Sequence, residues 1–413
     1  MPPTLVRVDG FEHQVASTNG GTGAIWGQIN TAGSISFDTT TKRTGAASLK
    51  VTESGAAICK IGGLIAASQN VIVQSVYILM TAAPSVTSRI LSNFVTAGEG
   101  ATQFNVVAST GVLQCKCGDG TAQNGPSITD GAWHRLDYYA DLSGATKTVK
   151  WTVDGVAQTD ATSTTNTATA YATQCPHYGT NISTHTATVW FDDALLSHTA
   201  ADYPIGVADG FDDYEVLSSL PTGDGTHNAG TDEIEDQAGN DIGAVTAYNL
   251  IDEWPPEVTD YIRQTTGGAG NGNYAEVTLG DITAGTIWAV HGYLAYTSAS
   301  TTANNGTTRV VLADGTTIDN IWSGDHSDGS TTNLFYKQKL LTAPGGGWSE
   351  TNYNGAKCRV GFSTDSNPDP YWMAVLLQVA VPTPTGGAQN KMKWIIGSIG
   401  GRSGTNLRPG IIS

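Results

Sequence analysis

The chain has 413 residues, enough for two or three domains of about 100–200 residues each, and its formal net charge is −17. Charged residues make up 14% of it, where about 25% is usual, and 50 residues are glycine. We expect no membrane insertion, because no apolar run is long enough to span a bilayer, and no signal peptide, because the N-terminal residues lack the layout of one. We expect no general nucleic-acid binding, because basic residues are scarce. The low content of charged residues also makes a typical charged cytosolic enzyme unexpected.

Runs of β-branched and aromatic residues predict strands along the whole chain. In chain order they are Val71–Met80, Thr148–Val153, Ala187–Phe191, Tyr274–Leu279, Thr286–Tyr296, Thr308–Leu312 and Met373–Val381. Clusters of Gly, Asn, Asp, Ser and Thr, which build turns, separate these runs, and no segment keeps a 3.6-residue period over three turns. The pattern predicts an all-β protein of sandwich or jelly-roll type.

A repeated phrase places a domain boundary near residue 206. Asp9-Gly-Phe-Glu12 recurs as Asp209-Gly-Phe-Asp212, after a spacer at 201–206 that contains proline and glycine. We therefore predict two β-sandwich (jelly-roll-like) domains and an extended C-terminal arm. Their predicted bounds are 1–206, 207–381 and 382–413.

The charge is segregated along the chain. The stretch 209–260 carries fourteen acidic residues and no Lys or Arg, whereas 382–413 carries four basic residues and no acidic one. The acidic stretch suits a solvated loop region, a cation site or a docking surface for a basic partner, and these alternatives stay open. A basic arm can pair with its own domain or with a neighbour by strand addition. The predicted assembly contacts in the arm are Lys391, Lys393, Trp394, Arg402 and Arg408.

The first half resembles the laminin-G/concanavalin-like lectin sandwich over roughly residues 5–200. The resemblance depends on Gly131-Ala-Trp-His134, followed by a strand that ends in Val153-Asp-Gly155. Arg43–Val51 resembles an early strand of the same fold, and Phe191–Leu196 resembles its closing strand. Asp-Gly between two strands is typical of a type I′ turn. The resemblance implies a fold and says little about a ligand.

Residues 207–381 resemble a module of virion structural proteins of tailed bacteriophages. The matching phrases are Trp254–Tyr261, Thr286–Tyr293, Trp348–Gly361 and Met373–Val381. This implies a viral structural protein located in the virion, which decorates the head (capsid), neck or tail or forms part of a fibre. Its partners would be other copies of itself, an oligomer, and other virion proteins. The alternatives are a secreted or surface polysaccharide-binding protein and, with less support, a glycan-degrading tail enzyme.

Catalytic patterns are scarce in the sequence. The E-x-D-x-(x)-E strand of sandwich-type glycoside hydrolases does not occur in residues 1–206, and the nearest string, Glu233–Asp236, has another spacing. No G-x-S-x-G nucleophile elbow occurs, and the five cysteines show no metal-site spacing. We therefore predict a protein that binds rather than catalyses.

Calcium is the cofactor that the residues favour most. Hard cations take six to eight oxygens, often from loop carboxylates. Asp9, Glu12, Asp192 and Asp193 lie at the opening and closing strands of the first domain, which adjoin in a sandwich of this kind. A solvated acidic group is the competing interpretation.

A host-surface glycan is a further candidate ligand. Carbohydrate sites use exposed aromatic rings with polar neighbours, and most tryptophans of this chain lie on predicted strands, which suits a core role. Trp322, Trp348 and Tyr353 lie in predicted loops and are the candidate glycan-binding residues.

Overall fold

The computed structural model describes most of the chain up to residue 383. The described residues are 2–17, 24–31, 33–55, 59–63, 67–95, 100–173, 176–180, 185–207, 211, 213–228, 234–257, 259–264, 273–298, 305–325, 330–362 and 370–383. The fold is all-β and antiparallel, as the strand pattern predicts. No helix in these ranges is long and apolar enough to cross a membrane.

Two facing sheets form the N-terminal sandwich. Its strands are β1 (Leu5–Asp9), β2 (Trp26–Thr31), β3 (Ser34–Asp38), β4 (Ser48–Gly55), β5 (Cys59–Gly63), β6 (Val71–Leu79), β7 (Ser88–Phe94), β8 (Gly100–Val106), β9 (Val112–Cys117), β10 (Gln123–Ser127), β11 (Trp133–Asp141), β12 (Lys147–Val153), β13 (Val156–Ala157), β14 (Ala161–Ser163), β15 (His177–Thr180) and β16 (His185–Ser197). The 9-stranded sheet has the order β13-β12-β11-β6-β16-β4-β3, with β1 also on β16 and β14 on β12. The 7-stranded sheet has the order β10-β9-β8-β7-β15-β5-β2.

Two further sheets form the C-terminal sandwich. Its strands are β17 (Asp213–Ser219), β18 (Pro221–Asp224), β19 (Ile234–Asp236), β20 (Ile262–Gln264), β21 (Tyr274–Leu279), β22 (Ala289–Ser298), β23 (Asn305–Val311), β24 (Thr317–Asp325), β25 (Ser330–Leu340), β26 (Lys357–Phe362) and β27 (Pro370–Thr383). The sheet orders are β19-β20-β27-β22-β25, with β17 on β27, and β18-β21-β26-β23-β24. In the part of the chain that the structure describes, the helical segments are 3-10 turns at Ala200–Asp202, Ile242–Ala244 and Ala247–Leu250, and the short helix α1 at Glu350–Tyr353.

The hairpin between β12 and β13 has the turn that its sequence indicates. Asp154 and Gly155 both have positive φ values, 52° and 76°, as the two central residues of a type I′ turn require. The predicted early strand at Arg43–Val51 is only partly correct, because β4 begins at Ser48 and the preceding residues form a loop.

The closing strand β16 explains why distant segments meet. Along one side of β16, residues 185–191 pair with β4, while residues 194–197 pair with β1. Between these two pairings β16 has a bulge at Asp192 and Asp193, where the backbone of Asp193 takes a φ of 46°. The end of β1 and the loop before β4 therefore converge on these two aspartates.

A buried joint connects the two sandwiches. One hydrophobic cluster contains Phe11 and Tyr178 of the N-terminal sandwich together with Tyr293 and Leu376 of the C-terminal sandwich. A second cluster joins residues of both in the same way: Leu5, Val8, Val73, Tyr77 and Leu195 with Tyr214, Val216, Trp288, Ala289 and Ala380. Although no sheet shares strands between the sandwiches in the described residues, their cores are continuous.

The free edge of β1 is covered by side chains from the other sandwich. The Val8 N–H donates to His291 Nδ1 at 3.2 Å, and the Val8 carbonyl accepts from the Tyr293 hydroxyl at 2.8 Å. The Gly10 N–H donates to Gln378 Oε1 at 2.9 Å. Since an unpaired strand edge is a template for unwanted pairing, these bonds both protect β1 and hold the joint together.

Candidate functional site

The bulge in β16 forms a buried acid pocket, defined here as the carboxyl groups of Glu12, Asp192 and Asp193. All three residues are at most 3% exposed. Glu12 follows β1, and the two aspartates occupy the bulge, so the pocket lies where β1, β16 and the loop before β4 meet. Three of the four predicted calcium ligands therefore lie in one pocket, although the acids of the described residues whose ligand atoms lie within 4.8 Å of one another are Glu253, Glu257 and Asp260.

The loop before β4 wraps the pocket with backbone donors. Glu12 Oε2 accepts the N–H groups of Ala46 and Ala47 at 2.5 and 3.1 Å. Asp192 Oδ2 accepts the N–H of Arg43 at 2.7 Å. Gly45 has a φ of +56°, and a Cβ built on it would lie 1.8 Å from Glu12 Oε1, so only glycine fits this loop position.

The pocket holds more acid than base. Arg43 Nη1 donates to Asp193 Oδ2 at 2.6 Å, and Arg43 Nη2 reaches the carboxylate of Asp213 at 2.7 Å. Within the described ranges, neither Glu12 nor Asp192 forms an ion pair with a basic side chain, and the buried Glu12 Oε1 has no hydrogen-bond partner. Two of the three carboxyls therefore lack an ion-pair partner, although the charge of Lys42 partly opposes the rise in the pKa of Glu12.

Burial and mutual repulsion have a direct electrostatic consequence. Burial raises the pKa of Glu12 well above its usual range, and the charge of Asp193 adds to the shift. The pKa of Asp192 is also raised well above its usual range, mainly by burial and further by the charges of Asp193 and Glu12. Burial raises the pKa of Asp193 too, although the guanidinium of Arg43 opposes that shift.

Asp9, the fourth predicted calcium ligand, belongs to a different network. Its Oδ2 accepts from Arg7 Nη2 at 2.7 Å, its Oδ1 accepts the N–H of Phe11 at 2.8 Å, and His13 Nε2 lies 3.2 Å from Oδ1. Burial alone would raise the pKa of Asp9, but His13 and Arg7 hold it well below its usual range. The structure therefore separates Asp9 from the other three acids, because a buried arginine already compensates it.

The exposure expected of Trp348 and Tyr353 is wrong, and Trp322 is half-buried. Trp348 and Tyr353 are buried in the core of the C-terminal sandwich, at 8% and 1% exposure. Trp322 lies on β24 rather than in a loop, packs against the same core, and has Lys337 Nζ 4.0 Å from its ring centroid. No tryptophan of the described ranges is fully exposed, and Trp133, Trp254 and Trp322 are half-buried.

A second acidic group was not singled out from the sequence. Glu253, Glu257 and Asp260 bring one carboxylate oxygen each within 4.8 Å of one another, and two of these residues are exposed. They lie inside the acidic stretch 209–260, whose density of charge was the available signal. Exposed acidic groups of this kind are common without an ion.

Histidines that could have served catalysis hold structural positions. His134 Nδ1 lies 2.7 Å from Asp154, and its Nε2 lies 3.0 Å from Asp130. His291 accepts the N–H of Val8 in the joint, and burial together with the charge of Arg7 lowers its pKa to about 3. In the string Glu233–Asp236, Asp236 accepts backbone N–H groups of its own turn.

Some predicted positions lie outside the described residues. These are the five assembly contacts of the arm, Lys391, Lys393, Trp394, Arg402 and Arg408, and Asp209 of the repeated phrase. Arg43 is the residue of the acid pocket's surroundings that the sequence pattern did not reveal. Its signal was the phrase Arg43-Thr-Gly-Ala, which was assigned to a strand.

Comparisons with known proteins complete the description. No protein-family model and no curated protein matches the chain. Among solved structures, the cellulose induced protein Cip1 is 18% identical with a TM-score of 0.35, covering 47% of this chain and 97% of that one. The GH131 beta-glucanase catalytic domain from Podospora anserina is 12% identical with a TM-score of 0.30, covering 46% and 91%.

The carbohydrate binding module CBM66 from Bacillus subtilis is 14% identical with a TM-score of 0.29, covering 42% of this chain and 96% of that one. None of these three structures is a virion protein by name. At such TM-scores the similarities carry no argument about ligand or activity, and the fold class comes from the sheets described above.

Proposed function

We propose that this chain is a non-enzymatic structural protein of a tailed-phage particle, which decorates the head, neck or tail or forms part of a fibre by binding other virion proteins. The sequence resemblance of residues 207–381 supports the virion location. The filled joint between the sandwiches supports the structural role, and it is the observation that carries the proposal.

Enzymes built from two domains commonly keep their ligand cleft at the domain interface. Here that interface is occupied by Phe11, Tyr293, Trp288 and Tyr214, all buried, and by hydrogen bonds to the backbone of β1. A continuous core makes the two sandwiches one stiff unit, which suits a part that must keep its shape in an assembly.

The direct test is mass spectrometry and electron imaging of purified particles of the phage whose genome carries this gene. The expected result is the chain at a regular copy number and at one position on the particle. Absence from particles, combined with binding on a glycan array, would overturn the proposal in favour of a polysaccharide-binding protein.

The arm offers a second test of assembly. Residues 382–413 carry four basic residues and no acidic one, and the stretch 209–260 of a neighbouring copy is the complementary surface. Deleting residues 384–413, which follow the end of β27 at Thr383, is expected to lower incorporation into particles and to leave folding intact. Unchanged incorporation would contradict this role of the arm.

We also propose that the acid pocket binds calcium as a structural cofactor. Carboxylate oxygens suit a hard cation, and the buried Glu12 Oε1 has no hydrogen-bond partner, whereas both oxygens of Asp192 and of Asp193 already accept hydrogen bonds. Glu12 and Asp192 would hold the ion, with Asp193 shared between it and Arg43. A bound calcium ion would supply the positive charge that the pocket lacks.

Titration calorimetry tests the calcium site, with Glu257→Gln as the matched control. Binding heat is expected for the unchanged chain and for Glu257→Gln, and its loss is expected in Glu12→Gln. The amide oxygen that Glu12→Gln introduces still accepts the N–H groups of Ala46 and Ala47, so the loop can persist. Heat that survives in Glu12→Gln and disappears in Glu257→Gln would move the site to the exposed acidic group.

A further inference from the structure

The outer face of the sheet β18-β21-β26-β23-β24 carries an arginine pair, defined here as Arg309 and Arg359. Val310 on β23 and Cys358 on β26 belong to the core of the C-terminal sandwich, so strand alternation turns the two arginines to the outer face. Arg309 lies directly opposite Arg359 in the register of β23 and β26. Like charges at directly opposite positions of an antiparallel pair destabilise a sheet, so an anion held between them stabilises it.

The carboxylate beside the arginine pair already has two cationic partners. Glu276 on β21 lies opposite Arg359 and accepts from its Nε at 2.6 Å. The other oxygen of Glu276 accepts from Lys357 Nζ at 2.9 Å. Arg309 forms no ion pair with an acid of the described residues, and its Nη2 donates to Thr307 Oγ1 at 3.4 Å.

The remaining charged groups of this sheet, among the side chains that the structure describes, have other partners. Asp319 on β24 pairs with Lys339 at 2.6 Å. Asp224 on β18 and His227 just after it accept backbone N–H groups, and burial lowers the pKa of His227. The face therefore presents three cationic side chains, on β23 and β26, against one carboxylate on β21. This excess of positive charge lies in a chain whose formal net charge is −17.

Charge complementarity favours a second copy of the chain as the occupant of this face. The stretch 209–260 carries fourteen acidic residues and no Lys or Arg. Within it Glu253 and Glu257 are exposed, and one carboxylate oxygen of each lies within 4.8 Å of the other and of Asp260. These acids precede β20, a strand of the opposite sheet of the sandwich. Two copies would therefore meet through different surfaces, a heterologous contact that continues into a ring or a filament.

We propose that the arginine pair is a docking site for a second copy of this chain, whose exposed carboxylates at Glu253 and Glu257 bind at Arg309 and Arg359. A guanidinium group presents paired N–H donors that match the two oxygens of a carboxylate. The inference rests on the structural role proposed above and names a partner for it. Exposed ion pairs are individually weak, so the contact is weak between free copies and gains strength where many copies are held together.

Sedimentation of the full-length chain tests the docking site. Self-association is expected at low ionic strength and is expected to weaken as salt screens the charges. Arg309→Glu is expected to weaken it by about tenfold, because like charges then face each other across the contact. Lys150→Glu makes the same change of charge at an exposed lysine on β12, and this matched control is expected to associate like the unchanged chain.

Thermal denaturation separates docking from folding. Arg309→Gln removes the repulsion from Arg359 and is expected to leave the melting temperature unchanged or higher, while self-association weakens. A melting temperature lowered by Arg309→Gln would show that Arg309 stabilises its own chain, and would overturn its assignment to docking.

A mixture of two variants identifies the occupant. Glu257→Lys is expected to weaken self-association as Arg309→Glu does, and an equal mixture of the two is expected to regain it, because each copy keeps the surface that the other has lost. The comparison is repeated in chains that end at Thr383, so that the basic arm cannot replace the arginine pair. A mixture that regains nothing would overturn the proposed contact.

The remaining outcomes separate this contact from the structural role. Absence of self-association, together with Arg309-dependent binding of a polyuronate, would overturn the contact in favour of an acidic glycan. If the chain is present on particles but Arg309→Glu associates like the unchanged chain, the contact is overturned and the structural role stands. If the chain is absent from particles but self-associates through Arg309, the contact stands and the structural role is overturned.

Discussion

Asp9 and Glu12 are three residues apart and both are buried, yet their environments differ in kind. Asp9 faces Arg7 and His13, and its pKa is held down. Glu12 faces Asp192 and Asp193, and its pKa is raised well above its usual range. The comparison shows that burial alone does not determine the state of a carboxyl group. The direction of the pKa shift depends on which charges lie nearest to the carboxyl group. For Asp9 they include Arg7 on β1, and for Glu12 they include the aspartates of the β16 bulge.

The largest expected difference comes from neutralising each acid in turn. Asp9→Asn leaves the buried Arg7 without its partner and is expected to cost about 3–5 kcal/mol of unfolding free energy. Glu12→Gln removes repulsion and, in EGTA, is expected to change that free energy by less than about 1 kcal/mol. Urea denaturation at pH 7 measures both. A greater loss in Glu12→Gln than in Asp9→Asn would reverse the comparison.

A glycine substitution tests the contact between the loop and the pocket. Gly45→Ala adds left-handed strain and a Cβ against Glu12 Oε1, and is expected to cost about 2–4 kcal/mol. Gly155→Ala is the matched control, because its φ is also positive but its Cβ would meet nothing within 4 Å. It is expected to cost about 1–2 kcal/mol by thermal denaturation. Equal losses would show that the pocket contact contributes nothing.

The smallest effect concerns His134, an ionisable group that is paired like Asp9 but lies nearer to solvent. The carboxylate of Asp154 raises its pKa, burial opposes the shift, and Asp130 adds to it. A raised pKa stabilises the folded chain fully below the unfolded value of 6.5, and that stability is lost as pH rises through the folded value.

Asp130→Asn is therefore expected to lower the free energy of unfolding by less than about 1 kcal/mol at pH 6 and to have little effect at pH 9. Denaturation at the two pH values measures it. A larger loss at pH 9 than at pH 6 would contradict the assignment of a charged His134.

Sequence patterns predict this structure best where neighbouring residues in the chain decide it. The β-branched runs marked β6, β12, β21 and β27 to within a few residues, because alternation and turn residues are local properties. Asp154-Gly155 marked its hairpin for the same reason. The association of Glu12 with Asp192 and Asp193 was also predictable, since opening and closing strands adjoin in such a sandwich.

Sequence patterns predict least where burial decides the role of a residue. Trp348 and Tyr353 look like loop aromatics in the sequence, and only the packing of α1 against the C-terminal core buries them. Asp9 looks equivalent to Glu12 until the ion pair with Arg7 separates them. The predicted role of the arm, and the virion location, remain predictions.

The sequence by itself determined the fold class, the strand positions and the segregation of charge, because these depend on residues close together in the chain. Only the tertiary structure decided that Arg43 reaches Asp193, 150 residues away, and Asp213 in the other sandwich. The physical reason lies in β16, whose bulge places β1, β4 and β17 around the same two aspartates. Because the charged groups around these aspartates come from four separate segments of the chain, the sequence of one segment does not reveal which groups form ion pairs.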